Sequence, residues 1–228
     1  MMRAAGRAIG FGFDGQRLNH RPQPTVQRNS IYPQRSGMKK AFAFVVLGTL
    51  IGLFGLPALR PGHTRVEHDL VNTTAPEFTH EDAGEWLNSP PLSLRNLRGQ
   101  VVLVDFWTFE CWNCYRSFPW LGALEQRFAD RPFRIIGVHS PEFERERDYR
   151  KISQKIDEFG LAHPVMVDND FSYWQAMHNR FWPAFYLIDK RSVIRHVYVG
   201  ETHDGDPQAL KIASAIETLT KEPYSASD

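Results

Sequence analysis

The sequence predicts an α/β domain with a mixed central sheet flanked by helices. Apolar runs of β-branched and aromatic residues alternate along the chain with amphipathic helical stretches. The runs lack the in-out alternation of a half-exposed strand, so they suit strands buried on both faces. The composition is that of an ordinary globular chain: 228 residues, 42% hydrophobic and 23% charged.

The elements follow in order. Glu85–Gln100 reads as a short hairpin ending in a Leu97–Gln100 turn. Val101–Trp107 is a buried strand with one anomalous charge, Asp105. Cys111 to Asp130 is a helix, with Phe118, Leu121, Leu124 and Phe128 at helical spacing and Pro119 kinking it. Phe133–Val138 is the next strand, Glu142–Phe159 a charged helix ended by Gly160, and Pro164–Val167 a short strand. Phe171–His178 is a short aromatic helix. Ala184–Ile188 and Val193–Val199 form strands around an Asp189–Ser192 turn, and Asp206-Pro207 opens a last helix to Leu219. The domain is expected to span 75–222, with a tail at 223–228.

The net charge of +1 hides an asymmetry. Residues 1–40 hold eight Lys/Arg against Asp14 alone, so a head of +7 precedes a body of −6. Residues 1–37 lack periodicity and branched apolar residues. They read as a disordered cytoplasmic tail or, since Met38-Lys39-Lys40 resembles a start, as an upstream extension. Residues 38–60 are expected to form a signal anchor: Ala41–Leu59 carries no charge over 19 residues. That run reaches about 28 Å, near the hydrocarbon thickness. Lys39 and Lys40 would keep its start in the cytoplasm, so the rest of the chain would be exported. Leu56-Pro57-Ala58 is a poor cleavage site, which favours a retained anchor. Residues 61–74 read as a polar linker. His63 and His68, with His80, have metal-ligand chemistry, but a solvated spacer is the simpler reading.

Composition excludes several classes. The near-neutral charge offers no bulk field for nucleic acid. Two cysteines exclude a disulfide-rich scaffold and a four-thiolate zinc site. Those two form Cys111-Trp112-Asn113-Cys114 where a buried strand meets a helix. A helix N-terminus stabilises a thiolate, and the thiolate is the species that attacks a disulfide. The spacing lets the second thiol resolve a mixed disulfide intramolecularly. Cys111 should therefore be the exposed nucleophile and Cys114 the buried resolving thiol. Asp105, a carboxyl in an apolar strand, should have a raised pKa and could exchange Cys114's proton. On the strand alone it reads equally as a mouth residue reaching water.

Asp105, Cys111-x-x-Cys114 and Pro119 resemble the thioredoxin signature, with an Asp six residues before the first Cys and a Pro eight after it. Trp182-Pro183, before the strand AFYLI, is similar to that family's cis-proline. The closer resemblance is to the TlpA/ResA-like branch of membrane-anchored, exported thioredoxins, over residues 75–219. It implies an N-terminal hairpin at Glu85–Gln100 and an inserted helix–strand at Glu142–Val167. It implies a thiol–disulfide oxidoreductase acting on protein thiols or disulfides without organic or metal cofactor, with Pro183 shaping the substrate groove. It also implies a membrane thiol donor of electrons and a task such as cytochrome c maturation. Trp112, Asn113 and Trp182 flank the presumed site as candidate substrate contacts, whereas Phe118, Trp120 and Trp174 read as packing. The chain departs from thioredoxin in having Glu110 before the first Cys and Trp112-Asn113 between the pair. Glu110 should oppose the thiolate, and neither intervening residue is a cation, so the couple is expected to be reducing.

Other classes compete. The cysteines could form a merely structural disulfide. Thr108-x-x-Cys111 has the spacing of a peroxiredoxin thiol peroxidase, though Val104 stands where that family has Pro. Cys111 and Cys114 with two of His139, His163, His178 and His196 could make a metal or partner-binding module. The charge run Glu142–Lys155 reads as a solvated helix face.

Overall fold

The computed structural model describes residues 70–225. The expected tail 1–37, the anchor 38–60, the linker up to residue 69 and residues 226–228 lie outside them. Among the described residues no helix is long and apolar enough to cross a membrane.

Six strands form one mixed sheet in the order β1-β4-β3-β2-β5-β6. They are β1 Trp86–Leu87, β2 Val101–Trp107, β3 Phe133–His139, β4 Val165–Val167, β5 Ala184–Ile188 and β6 Ile194–Val199. β2, β3 and β4 run parallel; β1, β5 and β6 pair antiparallel to their neighbours. The helices are α1 Trp112–Arg127, α2 Tyr149–Phe159, α3 Ser172–Ala176 and α4 Pro207–Lys221.

Every residue of β2 and β5 is buried, as their unbroken apolarity requires. Successive side chains divide the core into two layers. Val101, Leu103 and Trp107 face α1, α2 and α4 through Phe118, Leu121, Leu124, Ile152, Ile156, Ile212 and Ile216. Val102, Val104 and Phe106 face Tyr173 and Met177 around α3, together with Phe78, Trp86, Leu94 and Leu97.

Of these, Trp86, Leu94 and Leu97 show what the expected N-terminal hairpin Glu85–Gln100 becomes. Its only strand is the two-residue β1, which pairs with β4 instead of a hairpin partner. Pro90 and Pro91 follow, and neither has an N–H to donate to a ladder. Asn88 takes a left-handed turn at φ 63°, and its amide donates to the carbonyls of Leu161 (2.7 Å) and His163 (3.1 Å). Beyond the two residues of β1 at the sheet edge, the segment covers the second sheet face. Part of the expected linker belongs to the same cover: Ile194 N–H donates to Thr73 O (2.9 Å) and Ala75 N–H to Ser192 O (2.8 Å).

The inserted helix–strand is present but interrupted. Glu144–Arg147 is a 3-10 turn, and α2 starts afresh after Asp148. The Asp148 carboxylate accepts the N–H groups of Arg150 (3.0 Å) and Lys151 (3.4 Å), an N-cap that begins a new helix. Gly160 ends α2 in the left-handed region at φ 66°. Pro119 lies inside α1, where it leaves the Tyr115 carbonyl without its helical donor.

Gly137, in β3 beside Asp105, is a tight point. A Cβ there would lie 3.1 Å from Trp107 Nε1, 3.1 Å from Val165 Cγ2 and 3.2 Å from His163 Nε2. Gly137→Ala is therefore expected to cost about 1–3 kcal/mol by overpacking. Denaturant unfolding checks this, and an unchanged midpoint would show that the layer yields freely.

Candidate active site

The C-terminal end of β2 delivers the chain into the loop 108–110 and then α1. Cys111 is the N-cap of that helix, in extended conformation (φ −77°, ψ 105°), and its Sγ accepts the Cys114 N–H at 3.1 Å. The sulfur thus occupies the position where a free helical N–H and the positive end of the helix favour negative charge. Cys111 and Cys114 are joined as a disulfide. Cys114 is fully enclosed and Cys111 is 9% exposed, so Cys111 is the more accessible partner yet far less open than the sequence suggested. Beside it Trp112 is 68% exposed and Asn113 is also exposed.

Trp182-Pro183 is a cis peptide. Pro183 is buried and Trp182 half-buried. The Trp182 indole N–H donates to Ser140 O (3.0 Å), and its ring packs on Trp174 at 4.3 Å. Trp182 is therefore held in place, and Trp174 supports it as well as filling the core.

Asp105 resolves the ambiguity of its strand: it does not reach water. Its position in β2 shares the face of Leu103 and Trp107, the layer that contains Cys114 and α1. The residue is buried and neither carboxyl oxygen has a hydrogen-bond partner. Burial pushes its pKa up to about 8. A carboxyl with that pKa takes up or yields a proton near neutral pH.

Three features of the surroundings correct the sequence reading. Glu110 is not a bare charge beside Cys111. Arg145 Nε donates to both its oxygens (2.6 and 2.8 Å) and Arg145 Nη2 also contacts it; this pairing holds its pKa below the usual range. His80 is not in a solvated spacer. It is buried, with Nδ1 2.9 Å from Glu85 and Nε2 3.2 Å from Asp168. Burial opposes its charge, but the bonds to Glu85 and Asp168 outweigh that and raise its pKa. Glu146, inside the charge run Glu142–Lys155 that the sequence reads as a solvated face, is fully buried. It accepts hydrogen bonds from the Thr108 hydroxyl (2.6 Å) and the Glu110 N–H (2.9 Å), the residues leading into Cys111. Nothing in an alternation of Glu and Arg marks the one carboxylate that turns inward.

The rival chemistries gain little. Among the described residues the one grouping of three metal-ligand side chains is His80, Asp168 and Asp170, which includes neither cysteine nor any of His139, His163, His178 and His196. Asp168 there also accepts the N–H groups of Tyr173 (3.0 Å) and Trp174 (2.9 Å), bracing the start of α3. His139 lies at the site's base, its Nε2 3.4 Å from the Thr108 hydroxyl, but burial pushes its pKa down to about 3, so it supplies no cation. The Thr108 hydroxyl donates to Glu146 and is not free to donate to a peroxide.

Comparison with known proteins agrees with this geometry. The family model described as Redoxin matches residues 70–213. The chain is 40% identical over 119 residues to Protein DipZ of Mycobacterium tuberculosis, which covers 51% of this chain and 17% of DipZ. It is 30% identical over 125 residues to the thiol-disulfide oxidoreductase YkuV of Bacillus subtilis, covering 55% of this chain and 82% of YkuV. The crystal structure of a thiol-disulfide isomerase from Corynebacterium glutamicum superposes with a TM-score of 0.54 at 26% identity, covering 65% of this chain and 98% of that one. The chain spans less than a fifth of the length of DipZ and of several other curated relatives.

The buried carboxyl makes stability depend on pH. Asp105 titrates at about 8 in the folded chain against a reference of 3.8, so the native state holds its proton more tightly than the unfolded state. Stability should fall as pH rises between those values and level off above the higher one. Asp105→Asn cannot ionise, so its advantage over wild type should be absent in acid and reach a few kcal/mol above about pH 8. Denaturant midpoints across that range check the slope; parallel curves for the two proteins would remove it.

Proposed function

The chain belongs to the Redoxin family, within the thioredoxin-like superfamily, and from that premise we propose that it is a thiol–disulfide oxidoreductase acting on protein cysteines. One observation carries the reading. The Cys111–Cys114 disulfide sits at the N-terminus of α1, the less enclosed cysteine at the N-cap, in the core layer that also holds an unpartnered carboxyl.

In the reduced enzyme Cys111 attacks a substrate disulfide as the thiolate. An enzyme–substrate disulfide forms and one substrate sulfur leaves as a thiolate. Cys114 passes its proton to the Asp105 carboxylate and attacks Cys111 Sγ. The mixed disulfide breaks, the second substrate sulfur leaves, and Cys111–Cys114 closes. Two electrons have moved from enzyme to substrate, and a dithiol donor must return them. We assign the client contact surface to Trp112 and Asn113, exposed next to Cys111 in the chain, together with Trp182 and Pro183 at the cis bond.

We place this activity on the extracytoplasmic side of a membrane, in the reducing direction, within the TlpA/ResA-like branch. The uncharged run Ala41–Leu59 behind Lys39-Lys40 supports the location. The absence of a cation between the cysteines and the neutral state of His139 support the direction, since no cation there adds to the stabilisation that the helix terminus gives a thiolate. Clients would then be exported proteins whose cysteines must stay reduced, an apocytochrome c motif among them, with a membrane thiol carrier as donor.

Equilibration in graded dithiol–disulfide buffers, with free thiols counted, tests activity and direction together. The reading expects a potential near about −270 mV or lower. A value near about −120 mV would reverse the direction, and a pair that does not titrate reversibly would end the oxidoreductase reading. Cys111→Ser should abolish exchange and Cys114→Ser should accumulate mixed disulfides with clients. Asp105→Asn should slow the resolving step; rates equal to wild type at neutral pH would remove its catalytic role.

A further inference from the structure

Glu146 has a place in this chemistry that its sequence context hides. Both its oxygens are fully engaged. Oε1 accepts the Thr108 hydroxyl (2.6 Å) and the Glu110 N–H (2.9 Å). Oε2 accepts the N–H groups of Glu142 and Phe143, both at 2.7 Å. All four partners are neutral donors. Hydrogen bonds to a buried carboxylate are strong, and leaving such donors unmet is costly.

Those donors belong to two chain segments, the loop 108–110 that leads into Cys111 and residues 142–143. Thr108 O accepts the Cys111 N–H at 3.3 Å, so the N-cap hangs from the loop that Glu146 holds. Ser140 begins the second segment, which Glu146 secures at 142–143. Ser140 N–H donates to Trp107 O (3.1 Å), and Ser140 O receives the Trp182 indole N–H beside the cis-proline (3.0 Å). The two negative groups near Cys111 also differ. Glu110 forms a hydrogen-bonded ion pair with Arg145, whereas every hydrogen bond to Glu146 comes from a neutral donor and Arg145 acts on it only through space. A buried carboxylate bound to the backbone N–H of Glu110, the residue before the attacking cysteine, disfavours a thiolate there.

We propose that Glu146 is a positioning residue for thiol–disulfide exchange: it fixes the loop that presents Cys111, and its dipole-held charge keeps the couple toward the reducing end. The inference rests on the exchange reading above. A higher thiol pKa at Cys111 means less thiolate stabilisation in the reduced form and a more strongly reducing pair.

The test uses the full chain. Glu146→Gln keeps the size and removes the charge. The Cys111 thiol pKa, read from thiolate ultraviolet absorbance, should fall. The equilibrium with glutathione should move about tenfold toward the dithiol form, roughly 30 mV for a two-electron couple. Thr108→Val keeps the charge but removes one donor to it, so both readouts should move the opposite way, by less. Glu144→Gln, an exposed carboxylate in the same segment, should match wild type. A lowered melting temperature with unchanged thiol pKa and equilibrium constant would make Glu146 merely structural and overturn the proposal. So would an equal shift in Glu144→Gln. If Glu146→Gln does not fold, Thr108→Val decides: no shift overturns the proposal. A wild-type pair that fails to titrate overturns the exchange reading and this one together; a wild type that titrates beside variants matching it overturns this one alone.

Discussion

The structure depends on one constraint: β2 is buried over its whole length, on both faces. A strand in that position needs apolar layers above and below, and the chain supplies them from different places. Helices α1, α2 and α4 close one side. The segment from Ala75 to Leu97, with α3, closes the other. The carboxyl end of this strand is where chain can leave the sheet, and there the loop turns into α1 with Cys111 at its cap. The same burial leaves Asp105 without water or partner, and hence able to trade a proton near neutral pH.

The site holds three acidic groups in three electrostatic conditions. Glu110 is paired with a guanidinium at the surface. Glu146 is enclosed by four neutral donors. Asp105 has neither. Pairing keeps the first ionised below its usual range, whereas isolation raises the last by burial alone. Similar side chains are thereby separated into different tasks by what each one touches.

The features legible in the sequence are those written in adjacent residues. Continuous apolar runs gave the four long strands to within a residue or so of their observed ends, because burial on both faces leaves a local mark. The Cys-x-x-Cys pair, Asp105, Pro119 and Trp182-Pro183 were visible by spacing and family likeness. The illegible features depend on partners distant in the chain. Glu146 is defined by residues 38 and 36 positions away at Thr108 and Glu110. His80 is defined by Asp168, 88 positions away. The stretch Glu85–Gln100 carried turn residues and apolar residues in a pattern that a hairpin and a folded cover share, and only the two prolines argue for the cover. Asp148 looked like one more charge in a helical run, although a short acceptor with free N–H groups ahead of it is what restarts a helix.

The cover over the second sheet face has a consequence for how such a unit can be reused. Phe78, Trp86, Leu94 and Leu97 seal a layer that would otherwise present Val102, Val104 and Phe106 to the exterior. The stretch matched by the family begins at residue 70, ahead of this seal, so the seal belongs to the inherited unit. A unit that brings its own lid asks nothing of the polypeptide it is joined to, and it can be spliced beside unrelated neighbours without exposing a sticky surface. Self-closure of this kind is a physical precondition for portability, and similar stretches do occur inside chains more than five times as long as the shared region.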